Sequence, residues 1–188
     1  MAIQSQPSRY ANILLIGMGN VLMQDEGIGV RAVEELECRY HPPANVRVMD
    51  GGTTGMELFE PMREADALVV ADAINADAPH GSLARIANAE IRAFFQTKLS
   101  NHQLGLSDLL ALLTLKGQMP RHVAIIGMVP HSLENRLGLS VPAARSLDAM
   151  VGMLVDELTG LGAPPSPREK AEIGHWRRQA DMESALCA

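Results

Sequence analysis

Residues 13–29 constrain the fold more than any other part of the chain. They read ILLIGMGNVLMQDEGIG, four apolar residues followed by a glycine-rich turn. A short apolar run of this kind is typical of a strand buried on both faces, and Gly17 and Gly19 end it. Apolar residues recur at near-helical spacing after Gly29, so a helix follows the turn. The stretch therefore predicts a strand, a turn and a helix in series.

The turn of this unit suits a cation better than a phosphate. A dinucleotide-binding fingerprint needs a third glycine where this chain has Leu22, and its phosphate lies at the positive end of the helix. Asp25 and Glu26 occupy that end and would repel a phosphate, so we expect no nucleotide. On local grounds the two acids could equally serve only to complement the helix dipole. For Asp25 a dipole or capping role is the expectation.

Two further apolar segments end in aspartate. Residues 46–49 alternate like a strand that ends at Asp50, and residues 67–71 form an apolar strand that ends at Asp72. Helices between these strands predict right-handed crossovers and a parallel sheet. The carboxyl ends of parallel strands share one edge, so we expect Glu26, Asp50 and Asp72 in one crevice. Acids held together without a cation raise one another's pKa, which favours a cation site.

The second half of the chain completes one domain. A weak edge strand is predicted at residues 81–86 and a strong strand at residues 123–129. Ser107 and Asp108 form a good N-cap region for a buried helix, and Ser140 is the expected N-cap of the last helix of the domain. The pattern predicts an α/β fold of three layers, in which a twisted, mostly parallel sheet of about five strands has helices on both faces.

The domain is expected to span residues 1–160. Residues 161–188 read as a proline-containing linker and a charged tail, which we expect to be disordered or loosely docked. A net charge of −6 gives no basic footprint for nucleic acid. Cys38 and Cys187 show no metal-binding spacing, and no stretch resembles a secretory leader or a membrane span. We therefore expect a cytoplasmic protein without nucleic-acid or membrane partners.

The six histidines do not reveal a metal ligand by their spacing. His102 lies in a predicted loop ahead of a helix, which makes it only slightly better placed than the others. His122 opens a strand, where a solvent-facing ring is the ordinary explanation. The residues alone therefore leave the nitrogen ligand open.

Four segments, in this order and spacing, resemble the hydrogenase maturation endopeptidases. They are GMGNVLMQDEGIG at 17–29, DGGTTG at 50–55, VVADA at 69–73 and HQLGLSD at 102–108. Enzymes of that family remove a C-terminal peptide from the large subunit of nickel-iron hydrogenase. The similarity runs from about residue 13 to residue 158 and leaves the tail uncovered. It implies an endopeptidase whose partner is the large-subunit precursor, and we expect it to act as a monomer.

The resemblance also implies a metal site made by Glu26, Asp72 and His102. Two carboxylates and one imidazole suit nickel or zinc and leave coordination positions open. The nickel is expected to arrive with the precursor. In one mechanism it polarises the scissile carbonyl or activates water, and a carboxylate assists proton transfer. In the other it only positions the chain, and Glu26 and Asp72 act as catalytic carboxylates in the manner of an aspartyl protease.

The turn after the second strand is assigned to substrate binding or to support of the site. Its residues are Asp50, Gly51, Gly52 and Thr53. A rival function from another class is a non-catalytic, nickel-dependent checkpoint module, which would recognise a metallated precursor without cutting it. The same three ligands would serve either function.

Overall fold

A five-stranded sheet forms the centre of the structure, a computed structural model that describes residues 9–96 and 105–186. The strands within these residues are β1 (Ile13–Met18), β2 (Tyr40–His41), β3 (Val46–Gly52), β4 (Ala67–Ala73), β5 (Leu83–Ala87), β6 (His122–Met128) and β7 (Ser166–Pro167). The sheet has the order β3-β1-β4-β6-β5, and only the edge strand β5 is antiparallel to its neighbour. The predicted mostly parallel sheet of about five strands is confirmed.

Helices cover both faces of this sheet. The α-helices in the described residues are α1 (Ile28–Arg39), α2 (Phe59–Glu64), α3 (Ala89–Gln96), α4 (Leu106–Leu115), α5 (Val141–Gly160) and α6 (His175–Leu186). Successive β1 residues point to opposite faces, so Leu15 packs with α1 and α5 while Leu14 and Ile16 pack with α2 and α4. The predicted three-layer architecture is confirmed. No helix in the described part of the chain is long and apolar enough to cross a membrane.

Two strands run further than their apolar segments predict. Asp50 is paired with Gly17 within β3, and Asp72 is paired with Gly127 within β4. Backbone pairing does not depend on side-chain polarity, which explains why the ladder continues past the last apolar residue. The two aspartates are therefore held by the sheet itself.

The two predicted helix starts had different outcomes. Ser140 is the N-cap of α5, as expected, and its hydroxyl oxygen accepts a hydrogen bond from Ala143 N at 3.3 Å. The buried helix α4 instead begins at Leu106, one residue before the predicted cap region. Asp108 lies inside its first turn and accepts a bond from Gly105 N at 3.0 Å.

The prediction that the His122 ring faces solvent is wrong, because its side chain is only 12% exposed. Its Nε2 lies 2.7 Å from Oε1 of Glu157 on α5, and Arg85 contacts the same carboxylate at 2.5 and 3.1 Å. Burial raises the pKa of Glu157, but the hydrogen bonds from Arg85 and His122 outweigh it, so the pKa lies below its ordinary value of 4.5. This cluster ties α5 to the antiparallel edge of the sheet.

The segment after α5 packs against the domain, in contrast to the expected disordered or loosely docked end. The strand β7 pairs with β2, and Arg168 donates hydrogen bonds to the carbonyls of Glu37 at 2.8 Å and Tyr40 at 3.2 Å. These carbonyls lie at the C-terminal end of α1, where free acceptors remain. The tail thus closes the end of α1, and α6 then packs along the same helix.

Candidate active site

Glycines bring the start of α1 onto the C-terminal edge of the sheet. Glu26 lies in a single 3-10 turn, Gln24–Gly27, directly before α1. Gly19 has a φ of +118°, and a Cβ there would lie 1.8 Å from the Glu26 carbonyl oxygen. A Cβ on Gly29 would lie 2.1 Å from the Ala71 carbonyl oxygen. Only glycine fits at either place, and the result is that Glu26 sits beside the ends of β1 and β4.

Glu26 and Asp72 form an electrostatically coupled pair at this edge. Burial raises the pKa of the Glu26 carboxyl group, and its Oε2 is buried without a hydrogen-bond partner among the described residues. Although Asp72 as a residue is only half-buried, desolvation of its carboxyl group raises its pKa to about 7. A hydrogen bond from Ala73 N at 2.8 Å opposes that rise, while repulsion by Glu26 adds to it.

This pair fits a cation. A buried carboxylate oxygen without a partner is costly, and two desolvated carboxylates that repel each other are costlier still. A divalent ion between them would remove both penalties. Among the described residues no three His, Cys, Asp or Glu side chains come together to hold a metal. The third ligand predicted from the sequence, His102, lies outside the described residues, so its role stays a prediction.

Asp50 lies on the other side of β1 from Asp72, because β1 separates β3 from β4. It is exposed, and its Oδ2 accepts a hydrogen bond at 3.0 Å from the indole nitrogen of Trp176 on α6. The three acids therefore share an edge as predicted. However, Asp50 contacts the tail, whereas the repulsion acting on Asp72 comes from Glu26.

The turn after Asp50 is shaped by close backbone contact with β1. The ladder shifts register between Gly17 and Met18, so that Met18 pairs with Gly52. A Cβ on Gly51 would lie 2.6 Å from a methyl carbon of Ile16, which explains why this position is buried glycine. Thr53, the next residue after Gly52, is exposed at the edge. The turn assigned to substrate binding thus presents the exposed Asp50 and Thr53, while Gly51 is packed against β1.

Asp25 has a different role from the dipole or capping role expected of it. It is completely buried, and its side chain caps no helix. Its carboxylate accepts hydrogen bonds from His131 N, Ser132 N, Ser140 N and the Ser140 hydroxyl, at 2.7–3.0 Å. Asp25 therefore anchors the loop between β6 and α5. Nothing in the local sequence separates it from the adjacent Glu26, because its partners lie more than a hundred residues away.

The chain is similar to known proteins and to solved structures. The family model described as hydrogenase maturation protease matches residues 30–157. The hydrogenase 2 maturation protease of Escherichia coli (strain K12) is 41% identical over 159 residues, which cover 84% of this chain and 96% of that protein. The hydrogenase expression/formation protein HupD of Rhizobium leguminosarum bv. viciae is 31% identical over 194 residues, 96% of each chain. The solved structure of the hydrogenase maturating endopeptidase HybD from E. coli superimposes with a TM-score of 0.78 at 39% identity, covering 84% of this chain and 98% of that one.

Proposed function

Because the chain belongs to the hydrogenase maturation protease family, we propose that it is an endopeptidase that removes the C-terminal extension from the nickel-loaded large-subunit precursor of a nickel-iron hydrogenase. The observation that carries this proposal is the acid pair. Glu26 and Asp72 are desolvated, repel each other and leave one buried oxygen without a partner. They lie at the edge of the sheet where α/β proteins bind their ligands.

The acid pair would hold the nickel of the precursor together with His102. Two carboxylates and one imidazole suit nickel and leave coordination positions for ligands from the precursor itself. Nickel bound there would supply Lewis-acid polarisation of the scissile carbonyl. Because the ion would arrive with its substrate, the site would engage only a precursor whose metal centre is already assembled.

Glu26 and Asp72 would also provide the proton transfers that peptide hydrolysis needs. The attacking water must lose a proton and the leaving amine must gain one. A carboxylate beside the scissile bond can accept the first proton and return it to the amine. Two carboxylates in one crevice would supply this capacity next to the metal, which is the role that the family resemblance implies for them.

The β3 edge would hold the precursor chain. Asp50 and Thr53 are exposed there, and the half-buried Gly52 has no side chain that would block an extended peptide. A peptide that continues from this turn across the carboxyl ends of β1 and β4 would reach the acid pair. We further propose that the protein acts as a cytoplasmic monomer with the precursor as its partner.

The test is to incubate the purified protein with a cognate large-subunit precursor, prepared with and without nickel, and to follow the precursor by mass spectrometry. Loss of a C-terminal peptide only in the nickel arm would support both parts of the proposal. Cleavage in both arms would keep the protease and refute dependence on nickel. A nickel-dependent complex without cleavage would favour the checkpoint module, and neither binding nor cleavage would refute the proposed function.

Substitutions assign the reaction to the acid pair. We expect Glu26→Gln and Asp72→Asn each to abolish cleavage, since each removes one titratable carboxyl group from the pair. Glu57→Gln is the matched control, because Glu57 is an exposed acid in the short 3-10 helix before α2, outside both the acid pair and the turn assigned to substrate binding. If Glu26→Gln processed the precursor fully, the assignment of Glu26 to the active site would be refuted.

A further inference from the structure

The tail of this chain reaches the proposed precursor-binding edge through one side chain. Trp176 lies in the first turn of α6, and its indole Nε1–H donates to Asp50 Oδ2 at 3.0 Å. Its backbone N–H donates to Glu34 Oε1 on α1 at 2.7 Å. The tryptophan thus joins α1 to the carboxylate at the end of β3.

We propose that Trp176 is a positioning residue for Asp50 and that the C-terminal segment is thereby a working part of the precursor-binding surface. This inference rests on the proposed function, in which Asp50 contacts the precursor. An exposed aspartate samples several rotamers, and ordering it on binding costs conformational entropy. The indole hydrogen bond would hold Asp50 in one rotamer before the precursor binds, so less conformational entropy would be lost on binding.

The contact leaves Asp50 able to bind. Oδ2 accepts the indole N–H, while Oδ1 makes no hydrogen bond within the described residues. Oδ1 is therefore available to a donor on the precursor. A tail that blocked the site would be expected to occupy both oxygens or to bury the residue, but Asp50 stays exposed.

The indole itself is held in place by α1. Gly174 packs so closely on Glu34 that a Cβ there would lie 2.1 Å from Glu34 Cδ. The same Glu34 carboxylate accepts the bond from Trp176 N and lies 3.3 Å from Arg31 Nε. Since Glu26 lies directly before α1, this one helix positions both Glu26 and the residue that orients Asp50. The two sides of the proposed site are thus fixed to a common rigid element.

The first experiment measures cleavage by Trp176→Phe, which keeps an aromatic ring but removes the N–H donor. We expect KM for the nickel-loaded precursor to rise about fivefold while kcat stays within about twofold, since the lost term concerns binding. Trp176→Phe should have no further effect in an Asp50→Ala background, because the two residues act through one contact. Met182→Ala, at an exposed α6 position, is the control and should behave as wild type.

Two readouts do not depend on cleavage. Trp176 is the only tryptophan of the chain, so its fluorescence emission should shift in Asp50→Ala, which leaves the tail sequence intact. Binding of a labelled precursor should weaken by about the same factor as KM rises. Thermal unfolding of Trp176→Phe checks that α6 stays folded, and if it does not, the Asp50→Ala emission and binding data carry the test.

Each outcome has a definite meaning. Unchanged emission in Asp50→Ala, wild-type kinetics in Trp176→Phe, or additive effects in the double variant would overturn the inference. Faster cleavage by Trp176→Phe would overturn it in favour of an inhibitory latch. A wild-type protein that binds the precursor without cutting it would refute the proposed protease, while weaker binding by Trp176→Phe would still support the positioning role. Absence of both binding and cleavage would refute both.

Discussion

Replacing the buried Asp25 by asparagine is the sharpest test of how this site is built. Oδ2 accepts bonds from His131 N and Ser132 N at 3.0 Å and from the Ser140 hydroxyl at 2.8 Å, and Oδ1 accepts from Ser140 N at 2.7 Å. All four partners are donors. Asparagine can keep its oxygen toward the three donors of Oδ2, but its NH₂ group then faces the Ser140 N–H, and that bond is lost.

The cost follows from the geometry. A hydrogen bond to a charged group contributes about 1.5–3 kcal/mol, and a buried donor left without a partner costs about 1–3 kcal/mol. We therefore expect Asp25→Asn to lower the free energy of unfolding by about 3 kcal/mol. For a chain of this size that corresponds to a fall in Tm of about 6–12 °C. A role limited to the helix dipole would cost only about 0.3–1 kcal/mol, so the two interpretations are separable.

The assay is urea-induced unfolding of wild type, Asp25→Asn and Asp77→Asn, supported by thermal scans. Asp77 is an exposed loop residue and controls for the loss of one negative charge. We expect the control to stay within about 0.5 kcal/mol of wild type. A loss of less than about 1 kcal/mol in Asp25→Asn would refute the claim that this carboxylate anchors the loop.

Four other substitutions test the packing, the charge cluster and the acid pair. Gly29→Ala forces a Cβ against the Ala71 carbonyl and should lower the free energy of unfolding by about 3 kcal/mol. Gly152→Ala, whose added Cβ meets no atom of another element within 4 Å, should instead raise it by up to about 1 kcal/mol. Equal unfolding midpoints of the two variants would contradict this. Folding lowers the pKa of Glu157, so the stability that its ionised carboxylate contributes is complete above pH 4.5 and is lost as pH falls through its pKa in the folded protein. The free energy of unfolding, measured from pH 6 to pH 3, should therefore fall less steeply in Glu157→Gln than in wild type. Glu26→Gln should abolish precursor cleavage and yet raise Tm slightly, because it removes a desolvated carboxyl group whose Oε2 has no hydrogen-bond partner among the described residues. A Tm below that of wild type would contradict the claim that the acid pair destabilises the fold.

Local pattern was enough to predict most of the fold. The apolar runs of β1, β4 and β6 and the spacing of α1 and α5 repeat with the periods of strand and helix, and these periods report which faces are buried. Parallel order then brought Glu26 and Asp72 to one edge, because the carboxyl ends of parallel strands must meet there. The family resemblance carried by four short motifs is also confirmed. The metal-binding role of His102 stays a prediction.

Contacts between residues far apart in sequence were visible only in the tertiary structure. Asp25 and Glu26 are adjacent acids with the same local surroundings, yet one is satisfied by four donors from a distant loop and the other keeps a buried oxygen without a partner. The docking of Trp176 on Asp50 likewise joins residues that no periodic pattern connects. A sequence encodes burial through repetition, but the choice of hydrogen-bond partner is made by three-dimensional packing, so these roles became visible only in the folded chain.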